Sequence, residues 1–143
     1  GGGLIAGSSI YLKHTFSNIE NFAVEPDQFN DTQLSLKKKS IISNKESAHS
    51  ICDALLAPQP GVITFPINKL ILNGGLTVSD KEVKHTIVEL AENIKVVVEP
   101  GGAVAAAALL TNKINVKNKN VVVMISGGNI DYNLFSSIVS NKK

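Results

Sequence analysis

Residues 76–93, LTVSDKEVKHTIVELAEN, carry the clearest fold signal in this sequence. Residues 76–78 form a short apolar run typical of a strand, and a helix is predicted from Ser79 to about Asn93. Ser79 is a favourable N-cap residue, and Glu82 follows it at the spacing of a capping box. A strand that leads directly into a capped helix is a building unit of α/β folds.

The same alternation continues on both sides of this segment. Residues 40–61 are predicted to be irregular because Pro58, Pro60 and Gly61 break regular structure. Residues 121–125 are entirely apolar, which is typical of a strand buried in a parallel sheet. We therefore expect one α/β domain with a largely parallel sheet. Further strands are predicted at residues 21–24 and 96–98, and further helices at residues 4–12, 31–39, 66–72, 103–110 and 132–139.

Composition narrows the class of protein. The net charge of +2 over 143 residues is too small to indicate a nucleic-acid or membrane partner. All 14 basic residues are lysines, so the chain has no guanidinium fork for binding an anion. Cys52 is the single cysteine, which fits a reducing cytoplasm. The sequence shows neither a membrane-spanning run nor a signal segment.

Three consecutive glycines open the chain and lead into the first predicted helix. Backbone N–H groups can converge at such a point, and the helix dipole adds positive potential, so an anion is favoured there. Gly1, Gly3 and Ala6 also satisfy the G-x-G-x-x-A pattern of dinucleotide sites, with Glu25 as a candidate ribose-binding acid. A phosphate site, a dinucleotide site and a simple tight turn all remain open on this pattern alone.

The segment Glu25 to Asp31 contains two carboxylates that flank a predicted turn. Carboxylate and carbonyl oxygens are the ligands that Mg²⁺ and Ca²⁺ prefer. The alternative is that Asp27 or Asp31 caps the helix that follows. Taken alone, this segment favours the cap.

Two further motifs lie at predicted strand ends. Glu99 begins E-P-G-G, and a carboxylate at this place in an open α/β sheet is well positioned to bind a ligand, although it also favours the following helix N-terminus. Ser126 begins S-G-G-N, where the glycines leave room for a flat or bulky ligand. The alternative for this second motif is a turn before a helix capped by Asn129 or Asp131.

The motifs occur in the order glycine run, E-P-x-x-x-x-D, S-I-C-D-A-L, V-E-P-G-G-A-V-A and S-G-G-N. In this order they resemble the fold-type II pyridoxal-phosphate enzymes, above all the threonine/serine dehydratases and serine racemases. Bacterial members of the hydroxyectoine-utilization type are similar too. The resemblance implies that residues 1–143 are the C-terminal portion of the large, tryptophan synthase β-like domain, with a mostly parallel sheet flanked by helices. The N-terminal part and the small domain would then lie upstream.

The resemblance also implies roles for individual residues. Ser126 corresponds to the residue that hydrogen-bonds the pyridine nitrogen of pyridoxal 5'-phosphate, and Glu99 belongs to the same cofactor site. The residues that correspond to the phosphate-binding loop, which acts through backbone N–H groups, are Gly1, Gly2, Gly3 and Leu4. The chain contains no catalytic residue on this interpretation, because the Schiff-base lysine lies upstream.

A divalent cation such as Mg²⁺ is implied at Glu25, the carbonyl of Phe29 and Asp31, which reverses the preference for a cap. The sequence departs from the family pattern at Ala54, where many members have glycine, and at Gly101, where others have serine or threonine.

The activity implied by the resemblance is the conversion of a β-hydroxy amino acid into a 2-keto acid and ammonia. We expect the full-length enzyme to be a cytoplasmic homo-oligomer, dimeric or tetrameric, with no nucleic-acid or membrane partner. The fragment alone is expected to be inactive. The alternatives are an amino-acid racemase of the same family and, outside enzymes, a nucleotide-binding Rossmann-like module.

Overall fold

The structure, a computed structural model, describes residues 1–140. A short 3₁₀ turn at Asp53–Leu55 interrupts the long irregular segment, and a π-helical turn at Leu90–Ile94 extends the fourth helix. The helices and strands are α1 (Gly3–Thr15), β1 (Phe22–Pro26), α2 (Asp31–Lys38), α3 (Thr64–Ile71), β2 (Gly74–Val78), α4 (Asp80–Glu89), α5 (Pro100–Leu110) and α6 (Tyr132–Ser140).

Strands β1 and β2 pair in parallel, with Phe22 opposite Gly74 and Pro26 opposite Val78. This pairing confirms the predicted α/β class and the parallel arrangement. Helix α2 packs against β2 because Gly75 has no side chain: an added Cβ would lie 2.8 Å from the Cα of Gln33. The side chain of Gln33 donates to the Gly75 carbonyl at 2.9 Å, which fixes α2 beside the sheet.

The predicted capping box at the start of α4 is confirmed. The Glu82 amide donates to Ser79 Oγ at 3.3 Å, and the Ser79 amide donates to Glu82 Oε2 at 2.7 Å. Lys113 reaches the other carboxylate oxygen of Glu82 at 2.6 Å. Two of the orphan donors at the helix start are therefore satisfied, and the end of α5 is connected to α4.

Helix α5 lies at the centre of the domain. Its residues are almost all small, which allows α4 and both strands to approach its backbone closely. A helix that is apolar on all sides is a buried helix. Cys52 is fully buried in the same core, as predicted for a small packed side chain. Other members of this core are Val78, Val83, Ile87, Val98, Ala103 and Ala107.

Two predicted strands are wrong. Residues 96–98 and 121–125 are not in a sheet. The two segments approach each other just beyond their ends, where the Glu99 amide donates a hydrogen bond to the Gly127 carbonyl at 3.1 Å. Val122 is 91% exposed, although its apolar setting predicted burial. A strand requires a hydrogen-bonded neighbour, and residues 1–140 offer none beside these segments.

Within residues 1–140, no helix combines the length and the apolar character needed to cross a membrane.

Candidate cofactor and metal sites

The glycine run forms a tight turn into α1. Gly2 has a left-handed backbone with φ of 80°, and an added Cβ would lie only 2.7 Å from Asn68 Nδ2. Glycine is the residue that adopts this conformation without steric cost. Gly3 differs, because a Cβ there would meet no heavy atom within 4 Å. One side of the turn therefore packs against α3, and the other side is open.

The carbonyl groups of this turn are engaged by the protein. The Gly1 carbonyl accepts from the Gly61 amide at 3.1 Å and from the hydroxyl of Thr64. The Gly2 carbonyl accepts from the Ala6 amide at 3.1 Å and from Asn68 Nδ2 at 3.4 Å. The first amides of a helix have no intrahelical acceptor. Gly3 and Leu4 at the start of α1 are exposed, so backbone donors there are accessible to a phosphate group.

The E-P-G-G and S-G-G-N motifs are in direct contact. The Glu99 amide donates to the Gly127 carbonyl at 3.1 Å, and the Asn129 amide donates back to Glu99 Oε2 at 3.0 Å. Ser126, immediately before this junction, is exposed. Two motifs that no local sequence pattern could pair therefore form one junction beside the candidate ring-binding hydroxyl.

The glycines of these motifs allow that contact. An added Cβ at Gly102 would lie 2.6 Å from the Gly127 carbonyl oxygen, and one at Gly127 would lie 2.5 Å from Glu99 Oε1. At Gly128 the added atom would lie 2.8 Å from the Val97 carbonyl oxygen. The sequence suggested that these glycines leave room for a ligand. The structure gives them a further purpose, which is close packing of the two motifs.

The helices that follow both motifs begin differently. Glu99 is the N-cap residue of α5, but its side chain makes no capping hydrogen bond and is directed to Asn129 instead. Asp131 accepts from the Leu134 amide at 2.8 Å, so it caps α6 as one alternative predicted. A cap at Asp131 leaves Ser126 available for another role.

Glu25 caps α2 from the end of β1. Its Oε1 accepts from the Thr32 amide at 3.0 Å, and its Oε2 accepts from the Gln33 amide at 2.9 Å. The expectation that Asp27 or Asp31 provides the cap is therefore wrong, since the N-cap Asn30 has no side-chain capping bond and the carboxylate comes from the preceding strand. Both oxygens of Glu25 accept a backbone amide hydrogen bond here, and each oxygen keeps a further lone pair.

Asp31 lies next to this cap and is only 4% exposed. Asn44 Nδ2 donates to its Oδ1 at 2.7 Å, and burial raises the pKa of the Asp31 carboxyl. Burial also raises the pKa of Glu25, against the two amide hydrogen bonds, and the negative charge of Asp31 raises it further. Two acidic groups are thus held close together in a partly desolvated place.

The donor atoms near this pair are hard oxygens, as Mg²⁺ requires. The Oδ1 atom of Asn44 is buried, with no hydrogen-bond partner among residues 1–140. Phe29, whose carbonyl was predicted to be a ligand, is buried in the turn between the two carboxylates, and its amide donates to the Pro26 carbonyl at 3.0 Å. A cation would offset the charge repulsion of the acidic pair, so these residues fit the predicted metal.

The described part of the chain contains no cluster of three or more histidine, cysteine, aspartate or glutamate side chains suited to a metal ion. A site here would therefore depend on two carboxylates together with backbone or amide oxygen.

Comparisons of the sequence with a family model and with individual proteins identify the same family. The family model described as "Pyridoxal-phosphate dependent enzyme" matches residues 1–127. The chain is 37% identical over 140 residues to the serine racemase of Schizosaccharomyces pombe, covering 98% of this chain and 43% of that protein. It is 34% identical over 140 residues to the L-threonine ammonia-lyase of Thermotoga maritima, covering 98% of this chain and 34% of that protein.

Solved structures show the same relationship. A threonine deaminase from the organism abbreviated T.th. has a TM-score of 0.86 at 30% identity, over 92% of this chain and 44% of that one. Maize serine racemase also has a TM-score of 0.86, at 29% identity, over 98% of this chain and 44% of that one. The chain thus spans less than half the length of each of these relatives.

Proposed function

The chain belongs to the family of pyridoxal-phosphate dependent enzymes, and from this we propose that the full-length protein is an ammonia-lyase of the threonine/serine dehydratase type. It converts a β-hydroxy amino acid into a 2-keto acid and ammonia. Residues 1–143 are the C-terminal portion of its cofactor-binding domain. The observation that carries the proposal is the glycine turn, whose carbonyls accept hydrogen bonds from α3 while Gly3 and Leu4 at the start of α1 are exposed.

The turn holds the phosphate of pyridoxal 5'-phosphate through backbone donors. The left-handed Gly2 and the open position at Gly3 fit this group, because side chains there would collide with α3 or crowd the anion. When bound, the cofactor acts as the electron sink of the reaction. The lysine that carries the cofactor lies upstream of this chain, so the chain alone is inactive. The residues of the phosphate site are Gly1, Gly2, Gly3 and Leu4.

Ser126 donates its hydroxyl proton to the unprotonated pyridine nitrogen, and Glu99 accepts a hydrogen bond from the Asn129 amide in the loop that carries Ser126. A neutral hydroxyl does not stabilise a protonated ring nitrogen as a carboxylate would. Ser126 therefore keeps the ring a weaker electron sink, which suits rapid β-elimination. Replacing Ser126 with aspartate in the full-length enzyme should favour the protonated ring and change the cofactor absorbance. An unchanged ring protonation state would argue against this role for Ser126.

Glu25, the Phe29 carbonyl and Asp31 bind a divalent cation, for which Mg²⁺ is the probe. The support is the acidic pair of half-buried Glu25 and buried Asp31, together with the adjacent hard oxygens. Mg²⁺ should raise the melting temperature of the full-length protein, and Asp31→Asn should abolish that increase. Asp27→Asn is the matched control, because Asp27 is exposed and close in sequence. An equal response to Mg²⁺ in wild type and Asp31→Asn would exclude the site.

A racemase of the same family is the second candidate, because the chain is also 37% identical to a serine racemase. The test is to incubate the full-length protein with L-threonine, L-serine and D-serine, and to measure 2-keto acid, ammonia and enantiomer composition. Keto acid and ammonia without enantiomer exchange support the lyase, and exchange of serine enantiomers supports the racemase. If neither product forms, the proposed function is rejected.

We also propose that the full-length enzyme is homo-oligomeric and cytoplasmic. The cytoplasmic location is consistent with the single, buried and unpaired Cys52.

A further inference from the structure

We propose that Thr64 and Asn68 of α3 are positioning residues for the phosphate-binding turn. They fix the carbonyl groups of Gly1 and Gly2 toward the protein, so that the amides at the start of α1 face the anion. Neither residue contacts the phosphate itself. This inference rests on the proposed function, since it concerns how the cofactor phosphate is held.

The contacts come from two successive turns of one helix. Thr64 donates its hydroxyl proton to the Gly1 carbonyl, which also accepts from the Gly61 amide at 3.1 Å. Gly61 allows this approach, because an added Cβ would lie 2.8 Å from Thr64 Oγ1 and 3.1 Å from the Gly1 carbonyl oxygen. One turn further along α3, Asn68 Nδ2 lies 3.4 Å from the Gly2 carbonyl oxygen. The start of α3 therefore contacts both carbonyls of the turn.

The orientation of these peptide groups matters for anion binding. A peptide group carries its N–H and C=O in opposite directions, so a rotated peptide would direct a carbonyl dipole at the phosphate. Gly2, with its left-handed φ of 80°, has access to backbone conformations that other residues avoid, which makes such a rotation inexpensive. Donors from α3 that hold the carbonyls in place oppose that rotation.

Asn68 is poorly explained by stability alone. It is 1% exposed, its contact to Gly2 is long, and its Oδ1 has no partner within residues 1–140. A buried polar atom without a partner destabilises a fold, and an apolar residue of similar shape avoids that cost. The Gly2 carbonyl keeps the Ala6 amide as a donor when the Asn68 amide is removed. Asn68→Leu should therefore fold well and still loosen the turn.

The experiment compares two ligands that differ only in the phosphate. Full-length apoprotein is titrated with pyridoxal 5'-phosphate and with pyridoxal, and the dissociation constants are taken from the absorbance of the bound ligand. Thr64→Val, Asn68→Leu and the double variant are tested, with Thr64→Ser as the conservative rescue. The phosphorus NMR shift of the bound cofactor reports the phosphate environment directly.

Matched controls are present in the same chain. Thr111→Val removes another hydroxyl that donates to a backbone carbonyl. Thr111 lies at the end of α5, and its Oγ1 donates to the Ala107 carbonyl oxygen at 2.7 Å. Asn21→Leu removes another buried asparagine with an unpartnered side-chain atom. Both controls should bind the two ligands as the wild type does.

We expect the double variant to bind pyridoxal 5'-phosphate about tenfold more weakly, while pyridoxal affinity changes less than about twofold. The phosphorus shift should change in Thr64→Val and return in Thr64→Ser. Equal weakening for both ligands, or unchanged affinity for the phosphorylated one, would overturn the positioning role while leaving the proposed function intact. If the double variant does not fold, the two single variants are judged by the same comparison, which is the loss of affinity for pyridoxal 5'-phosphate relative to the loss for pyridoxal. A wild-type protein that does not bind pyridoxal 5'-phosphate would overturn the proposed function, and this inference with it.

Discussion

A Cβ added to Gly101 would lie 3.2 Å from the Cβ of Ala54. The family resemblance described above implies that the sequence departs from the pattern of the dehydratases and racemases at both positions. The structure shows that they face each other across the contact between α5 and the short turn at Asp53–Leu55. The methyl group gained at one position therefore occupies space that the missing side chain leaves at the other.

The Gly101 and Ala54 substitutions should be coupled. Gly101→Ala alone crowds Ala54 and should destabilise the protein by about 1 kcal/mol. In the Ala54→Gly background the crowding is absent, so the same substitution should be neutral or stabilising through the better helix propensity of alanine. Urea unfolding of the four proteins measures the coupling energy, expected at about 1 kcal/mol. Additive effects of the two substitutions would refute compensation.

Glycine-to-alanine substitutions should change the free energy of unfolding by different amounts, according to the atom that the added Cβ meets. Gly102→Ala meets the backbone of Gly127 and should cost about 1–3 kcal/mol of unfolding free energy. Gly127→Ala meets the end of the Glu99 side chain, which can move, so it should cost less stability and mainly disturb the loop of Ser126. Gly7→Ala is the control in α1, where nothing lies within 4 Å, and it should stabilise by about 0.5–1 kcal/mol. Equal costs at Gly102 and Gly7 would contradict this order.

Glu82 combines a helix cap with an ion pair, and two substitutions separate them. Glu82→Gln keeps a capping-box residue and loses the pair with Lys113, so at pH 7 it should cost less than about 1 kcal/mol. Glu82→Ala loses both interactions and should cost about 1 kcal/mol more.

The ion pair should also depend on pH. Burial raises the pKa of Glu82, but hydrogen bonds and charge from Lys113, together with Ser79, outweigh it and lower the pKa below 4.5. A lowered pKa stabilises the folded state above pH 4.5, and that contribution is lost as the pH falls through the folded value. Urea midpoints of wild type and Glu82→Gln should therefore converge in acid. A constant difference down to about pH 3 would show that charge is not involved.

Cys52 should be chemically silent in the folded protein. Burial raises the pKa of its thiol from 9.0 to about 11, although a hydrogen bond involving Ser50 opposes the shift. At about pH 8 the peptide that contains Cys52 should remain unlabelled by a thiol reagent until denaturant is added, as measured by mass spectrometry. Labelling in native buffer at the rate of the denatured protein would contradict the buried position.

The same thiol should make stability fall at high pH. Between pH 9.0 and about 11 the unfolded thiol loses its proton while the folded one keeps it, so rising pH favours unfolding. Cys52→Ala should reduce this decline in urea midpoints between about pH 8 and pH 10.5. An identical decline in both proteins would mean that other groups cause it.

The elements that the sequence predicts well are those whose signal is local. The capping box of Ser79 and Glu82, the alanine-rich α5 and the strand that ends at Val78 depend on neighbouring residues, and the structure has all three. The prediction for residues 121–125 failed because their apolar composition indicates a buried strand without indicating which segment pairs with them.

The candidate sites were predictable in part for the same reason. The glycine turn is predicted from three adjacent glycine residues. The cap of α2 was missed because the carboxylate of Glu25 and the amides of Thr32 and Gln33 are separated by a turn, and nearer acids competed for the role. The support that Thr64 and Asn68 give to the turn joins residues 63 and 66 positions apart, respectively. No local pattern reports such a contact.

The exposed valines of residues 121–125 have a practical consequence for anyone who produces this chain by itself. Val122 is 91% exposed in an apolar segment that lies outside the sheet, and apolar surface of this kind recruits other chains. Inclusion bodies or fibrils are then the expected product in a bacterial host. On the proposal that this chain is one portion of a longer enzyme, co-expression with the other portion should cover that segment and increase the amount of soluble protein.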